Sequence, residues 1–195
     1  MKKRYILASG SPRRLELMRM IVPDIEVIAS REVDESYPAD MEAADVPVSL
    51  SQKKAEAYAD LAAEGAVVIT ADTVVVAGDR ILGKPADAAE ARAMLRLLSG
   101  NTHRVVTGVT VADSTDSKSL AAITEVTFAP LSDAEIDYYI DNYRPFDKAG
   151  AYGIQEWIGA VGISHIDGSF YNVMGLPVHR LYDLLKSMGY SLLAK

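Results

Sequence analysis

The chain has 195 residues, 49% of them hydrophobic, with a formal net charge of −7, three histidines and no cysteine. That length allows one domain of ordinary size, or one core with two lobes, and a chain this long buries about 70% of its unfolded surface without covalent staples. The missing cysteine excludes disulfides, thiolate metal ligands and cysteine nucleophiles, and it fits a cytoplasmic protein. The acidic balance argues against general nucleic-acid binding. After Met-Lys-Lys-Arg the apolar run is too short for a signal peptide, and no 18-residue apolar stretch points to a membrane span.

Tyr5 to Ala8 reads as a short buried strand, broken by Ser9-Gly10-Ser11, where Gly10 allows a tight turn close to a bound group. Ser11-Pro12 reads as an N-cap followed by proline at the first helical position. Arg13 and Arg14 then stand in the first turn of that helix, where the macrodipole disfavours cations. Free N–H groups, a serine hydroxyl and two forked donors together suit phosphate or pyrophosphate; two solvated surface arginines are the alternative. On the dipole argument alone, removing either arginine is expected to be neutral or slightly stabilising.

Ile25 to Ala29 reads as a second strand, and Ser30 to Asp45 as an acidic loop containing Asp34-Glu35. The pattern from Val46 to Glu64 predicts one helix. Lys53 and Lys54 are expected on different faces, with only Lys54 on the side of Leu50, Tyr58 and Leu61; it either reaches a cleft or snorkels to solvent. Ala66 to Pro85 predicts a long β-branched strand, a Gly78-Asp79 turn and a short return strand. Asp72 interrupts that strand with a carboxylate. If buried it needs a partner, such as a metal ion or an arginine cluster; an edge-strand carboxylate facing water is the other reading. Lys84 closes the hairpin.

Asp87 to Leu98 predicts an amphipathic helix ended by Ser99-Gly100, and His103–Asp113 with Leu120–Phe128 predicts an antiparallel pair. Ser132 to Glu135 forms a capping box opening a helix to Tyr143, whose tyrosines suit packing better than recognition. Pro145 to Pro177 holds six of the thirteen glycines, a density that favours irregular, ligand-lining backbone. Within it, Asp147 to Gln155 reads as a turn, Ala160 to Ile166 as a strand, and the region from Leu176 to Met188 as a final helix. P-loop, dinucleotide-fold and nucleophile-elbow motifs are absent, and the histidines lack metal-ligand spacing.

Seven stretches in order, SGSPRR, Asp34-Glu35, Lys54-Ala55, ADT, LGKP, DKAGAYGIQ and GSFYNVMGLP, resemble the signature of the Maf family of nucleoside-triphosphate pyrophosphatases from Leu7 to Pro177. The resemblance implies an α/β fold: a long twisted mixed sheet flanked by helices, two lobes with a central cleft, like inosine-triphosphate pyrophosphatases. It also implies a single Maf-like domain over residues 1–195, with an N-terminal phosphate-binding lobe and a glycine-rich C-terminal lobe. The implied reaction is hydrolysis between the α- and β-phosphates with a divalent metal, Mg²⁺ or Mn²⁺, by a cytoplasmic enzyme that is commonly a homodimer. By resemblance Asp72 is the proton acceptor, Ser9, Arg13, Arg14, Lys54 and Lys84 bind substrate, and Glu35 and Asp72 hold the metal. Arg13, Thr73 and Gln155 resemble the branch acting on dTTP and UTP, with modified pyrimidine nucleotides as further candidates for house-cleaning. The family is also linked to arrest of cell division, so the rival expectation is a non-catalytic nucleotide-binding regulator. The residues leave open whether Asp72 is base, metal ligand or both.

Overall fold

The computed structural model describes residues 3–192. Strands β1 (Tyr5–Ala8), β2 (Glu26–Ile28), β3 (Val67–Ala77), β4 (Arg80–Leu82), β5 (Thr102–Ala112), β6 (Ser117–Phe128) and β7 (Ile163–Asp167) form one mixed sheet. Its order is β2-β1-β3-β5-β6-β7, with β4 paired to β3. β1 lies parallel to both β2 and β3, while β4 returns antiparallel to β3 and β7 runs antiparallel to β6. The flanking helices are α1 (Pro12–Arg19), α2 (Val46–Glu56), α3 (Ala59–Ala63), α4 (Ala88–Leu98), α5 (Asp133–Tyr143), α6 (Trp157–Gly162), α7 (Phe170–Val173) and α8 (Val178–Ser187). No helix among the described residues is long and apolar enough to cross a membrane.

The chain packs as two compact units, neither of them continuous in sequence. The first takes residues up to Asp72, Thr107–Ala122 and the chain from Gly175 onward; the second takes Thr73–Val106 and Ile123–Met174. In the first unit Ile6, Ala8, Tyr58, Ala62 and Val68 form a buried cluster joining β1 and β3 to α3 and to the break that precedes it. In the second, Leu95, Leu98, Val105, Phe128, Tyr139 and Ile158 belong to one larger core. These positions alternate along strands and recur at three- and four-residue spacing on helices, so the apolar pattern alone sets which faces meet.

Two expectations change. The helix predicted from Val46 to Glu64 is broken into α2 and α3 at Ala57–Tyr58. The Tyr58 ring is buried, and its hydroxyl donates to Ala29 O (2.9 Å) and accepts from Arg31 N–H (2.6 Å). Satisfying that hydroxyl overrides local helix propensity. The strand predicted from Ala160 begins at Ile163, because Trp157–Gly162 forms α6. A Cβ at Gly159 would lie 1.7 Å from Ile154 O, so this helix sits directly on backbone and tolerates no side chain there.

Candidate active site

The register Leu7↔Ile69 between β1 and β3 places Ser9 to Ser11, just past the carboxyl end of β1, level with Ala71-Asp72 in the middle of the longer β3. The loop after β1 therefore lies beside Asp72, and the carboxyl end of a parallel strand is the usual place for ligands in such sheets. Ser9 is buried, and its Oγ accepts from Ser11 N–H at 3.2 Å; Gly10 N–H donates to Ser30 Oγ, also at 3.2 Å. Ser11 caps α1 by accepting from Arg14 N–H (3.4 Å), with Pro12 in the first turn, as the sequence predicts. Gly10 is a surprise. Its φ is not left-handed, and an added Cβ would meet only Ser30 Oγ at 3.8 Å, so the protein's own packing does not require glycine there.

The two arginines differ. Arg14 donates from Nε to Gly175 O and from a terminal nitrogen to Ala71 O, both at 2.9 Å, which ties α1 to β3 and to the start of the final segment. Burial lowers the pKa of its guanidinium, Asp72 and Glu35 oppose that shift, and Arg13 adds to it. Arg14 is therefore a fixed positive charge aimed along the strand end, and its structural role corrects the expectation that its removal is neutral. Arg13 is half-buried in the first turn of α1.

Lys54 joins the two acidic residues. Its Nζ lies 2.6 Å from Asp72 Oδ1 and 2.9 Å from Glu35 Oε1. The Lys54 and Asp72 side chains are 21% and 15% exposed, so this pair is partly desolvated, whereas Glu35 at 60% faces water. Asp72 is thus not an edge carboxylate facing water: Lys54 pairs with it directly, and its charge also acts on the Arg14 guanidinium. Two hydroxyl contacts place α2 over β3 and β5. Thr70 Oγ donates to Ser51 O (2.6 Å), and Ser51 Oγ bonds Thr110 Oγ (2.8 Å). About one helical turn after Ser51 and two strand residues after Thr70, Lys54 meets Asp72, since a 5.4 Å turn roughly matches a two-residue strand step. Gly108 permits this approach, because a Cβ there would lie 2.2 Å from Pro47 O.

Glu35 sits at the centre of a small turn. Asp34 accepts from Ser36 N–H (2.9 Å) and Ser36 Oγ (2.8 Å), bonds that hold its carboxyl below the usual range. Lys53 Nζ donates to Ser36 O at 2.6 Å. Both lysines therefore reach the same acidic loop, one to its backbone and one to Glu35, and of the two Lys54 also meets Asp72. The long side chains bridge the roughly 100° between adjacent helical positions.

Two carboxylates sharing one cation are hard oxygen donors of the number that Mg²⁺ or Mn²⁺ takes from protein when phosphates complete its shell, so the residues present fit such a metal. Among the described residues no group of three or more His, Cys, Asp or Glu could hold one on its own.

Thr73, Lys84 and Gln155 belong to the second unit. Thr73 is half-buried in β3, and Lys84 is exposed just after β4. Gly83 O accepts from Gly150 N–H (3.0 Å), so LGKP and DKAGAYGIQ are brought together. Gly150 has φ 69°, and a Cβ there would crowd the Val75 side chain at 3.0 Å. Gln155 is exposed at the tip of a turn closed by Glu156 N–H to Gly153 O (3.0 Å). Beneath it lies a polar cluster that the sequence reading missed. Lys148, 8% exposed, contacts Asp147 Oδ1 (2.7 Å) and Glu156 Oε1 (3.1 Å), and Tyr139 donates to Glu156 Oε2. The only sequence signal was a lysine and a glutamate flanking a glycine-rich turn.

The family model for Maf-like proteins matches residues 4–188. The chain belongs to the Maf family. A relative from Porphyromonas gingivalis named dTTP/UTP pyrophosphatase is 50% identical over 192 residues, covering 97% of this chain and 96% of its own. One of the same name from Bacteroides thetaiotaomicron is 50% identical over 187 residues, covering 96% and 97%. Among solved structures, the Staphylococcus aureus Ham1 protein is similar with a TM-score of 0.58 at 16% identity, covering 95% of this Maf-family chain and all of its own. A HAM1 protein from Coxiella burnetii gives 0.51 at 15% identity, with the same coverage. That likeness shows the fold expected from the sequence, a mixed α/β sheet of the Ham1 type.

Proposed function

We propose that this chain is a nucleoside-triphosphate pyrophosphatase that hydrolyses dTTP and UTP to the monophosphate and pyrophosphate. The observation that carries the reading is the Lys54 ammonium held between Asp72 (2.6 Å) and Glu35 (2.9 Å) at the strand end where Arg14 is fixed. Cleaving a phosphoanhydride needs charge neutralisation and a positioned water more than covalent chemistry. Arg13, Arg14 and Lys54 supply positive charge, the exposed N-terminus of α1 adds its dipole, and Lys84 adds a cation in the second unit. Asp72 accepts the proton of the attacking water. A divalent metal held by Asp72 and Glu35 would supply charge compensation on the phosphates. A pure binder of a polyanion gains nothing from two carboxylates among its cations, so this arrangement favours hydrolysis over a non-catalytic regulator.

Base choice is assigned to Gln155. The pyrimidine edge offers O4 as acceptor and N3–H as donor, and a glutamine amide meets both at once. An exposed amide at a turn tip, on a rigid footing, suits that role. In this reading Arg13 and Thr73 complete the specificity set, residues 1–195 act as one Maf-like domain, and the protein works on cytoplasmic nucleotide pools as a homodimer. The relatives named above, at about half identity over nearly the whole chain, support the substrate class. Incubation of dTTP with protein and Mg²⁺ should give dTMP and pyrophosphate in equal amounts. Accumulating dTDP and orthophosphate would instead identify a phosphatase.

A further inference from the structure

The cluster beneath Gln155 is unusual for its cost. Lys148 and Glu156 form an ion pair with side chains only 9% and 18% exposed, and such pairs contribute little net stability because both ions lose hydration. Tyr139 completes the cluster. Its ring is fully buried, its hydroxyl donates to Glu156 Oε2, and the Tyr139 hydroxyl oxygen accepts from Gly153 N–H at 3.0 Å. Burial and the adjacent Glu156 carboxylate keep that phenol protonated. Nothing in the proposed hydrolysis uses these three side chains.

Their common target is the turn. Glu156 is its last residue, and Gly153 is its first, closed by Glu156 N–H to Gly153 O. A Cβ on Gly153 would lie 2.8 Å from Glu156 Cδ and 3.0 Å from Lys148 Cε, so the side chains press directly on the backbone. From another side, Gly159 lets α6 rest against Ile154 O, and the Ile154 side chain is buried. The two central residues thus divide: Ile154 is anchored in the core, and Gln155 alone points outward. A turn held at its first, second and last residues leaves the third with one backbone pose.

We propose that Tyr139, Lys148 and Glu156 are positioning residues that fix the pose of Gln155 and thereby set the preference for pyrimidine over guanine nucleotides. The proposal rests on Gln155 being the base reader. The cluster spends stability on one conformation, which is where buried ion pairs are best retained. A bidentate amide requires such placement, because a shift of about 1 Å breaks one of its two bonds.

The test is Tyr139→Phe, which removes the hydroxyl and keeps the ring. Steady-state constants are measured with dTTP, GTP and methyl triphosphate, which has no base, alongside Gln155→Ala. The expected result is a fall in kcat/KM for dTTP of roughly 5- to 30-fold, carried mainly by KM, the scale of one lost buried hydrogen bond. Methyl triphosphate turnover stays within about twofold, and dTTP-over-GTP preference narrows in both variants. A general loosening of the protein would lower all three substrates together and overturn the proposal. If Gln155→Ala narrows the preference and Tyr139→Phe does not, the positioning role is wrong and base reading stands. If Gln155→Ala leaves the preference unchanged, base reading fails and the positioning role fails with it. Glu156→Gln, which keeps the side chain's shape but loses the charge and one of its two acceptor oxygens, replaces Tyr139→Phe if that variant does not fold, with the same outcomes required.

Discussion

Arg13 and Arg14 are neighbours of one kind in sequence and differ in physics. Arg14 satisfies two backbone carbonyls, Gly175 O and Ala71 O, that alanine would leave without those donors. Arg14→Ala should therefore cost roughly 1–3 kcal/mol and lower Tm by several degrees, while Arg13→Ala leaves Tm within about a degree. Both should weaken triphosphate capture. Equal melting temperatures for the two variants would reduce Arg14 to an ordinary first-turn cation. Asp72→Asn is the sharper probe of chemistry. The amide still accepts from Lys54, so the strand end keeps its shape, but the basicity is gone. Turnover should fall on the order of 10²-fold or more, with dTTP binding by calorimetry retained or tightened, because a negative charge near the phosphates has been removed. Near-normal turnover would make Asp72 a structural partner of Lys54. The site was legible in the sequence where a residue broke a local rule: cations at a helix start, a carboxylate inside a β-branched run. Arg14's carbonyl partners were not, since Gly175 lies 161 residues away and no local pattern encodes that contact.

The loop carrying Glu35 is held as a piece. Arg31 forms a two-pronged pair with Asp60 (2.7 and 2.8 Å) and stacks over the Tyr58 ring, while Lys53 grips Ser36 O. Lys53→Met should leave folding and the Lys54–Asp72 contact intact but loosen the Glu35 turn. The expected outcome is an approximately tenfold higher Mg²⁺ concentration for half-maximal rate, with kcat at saturating Mg²⁺ near wild type, the scale of losses beyond a metal's own ligands. An unchanged Mg²⁺ profile would show that the turn holds itself. The same elements mark where sequence reading stopped. The strands, α1, α4 and the capping box of α5 were legible because periodicity and caps are local signals. The α2–α3 break and the short α6 were not. Each depends on a contact distant in sequence or a close backbone approach, the Tyr58 hydroxyl and Gly159, that outweighs propensity.

Across the whole molecule, stability is tied to pH by a histidine outside the proposed chemistry. His103 is buried, bonds the Tyr152 hydroxyl through Nε2 (2.8 Å), and is depressed by burial to about 4. Its folded pKa lies below the unfolded value of about 6.5, so the unfolded chain binds more protons between those limits. The contribution is fully present above pH 6.5, is lost as pH falls towards 4, and amounts to a few kcal/mol on the order-of-magnitude scale. Urea unfolding at pH 7.5 and 5.0 should show wild type losing more stability than His103→Gln; parallel losses would place the acid sensitivity elsewhere. Two glycines, finally, answer to different masters. Gly108 is demanded by the Pro47 backbone, so any folded descendant of this chain must keep it. Gly10 meets nothing closer than 3.8 Å and needs no unusual φ, so folding alone never defends it. In a lineage that abandoned nucleotide hydrolysis, Gly10 would drift to alanine or serine while Gly108 stayed fixed. Loss of Gly10 with Gly108 retained is the sequence pattern expected of such a lineage.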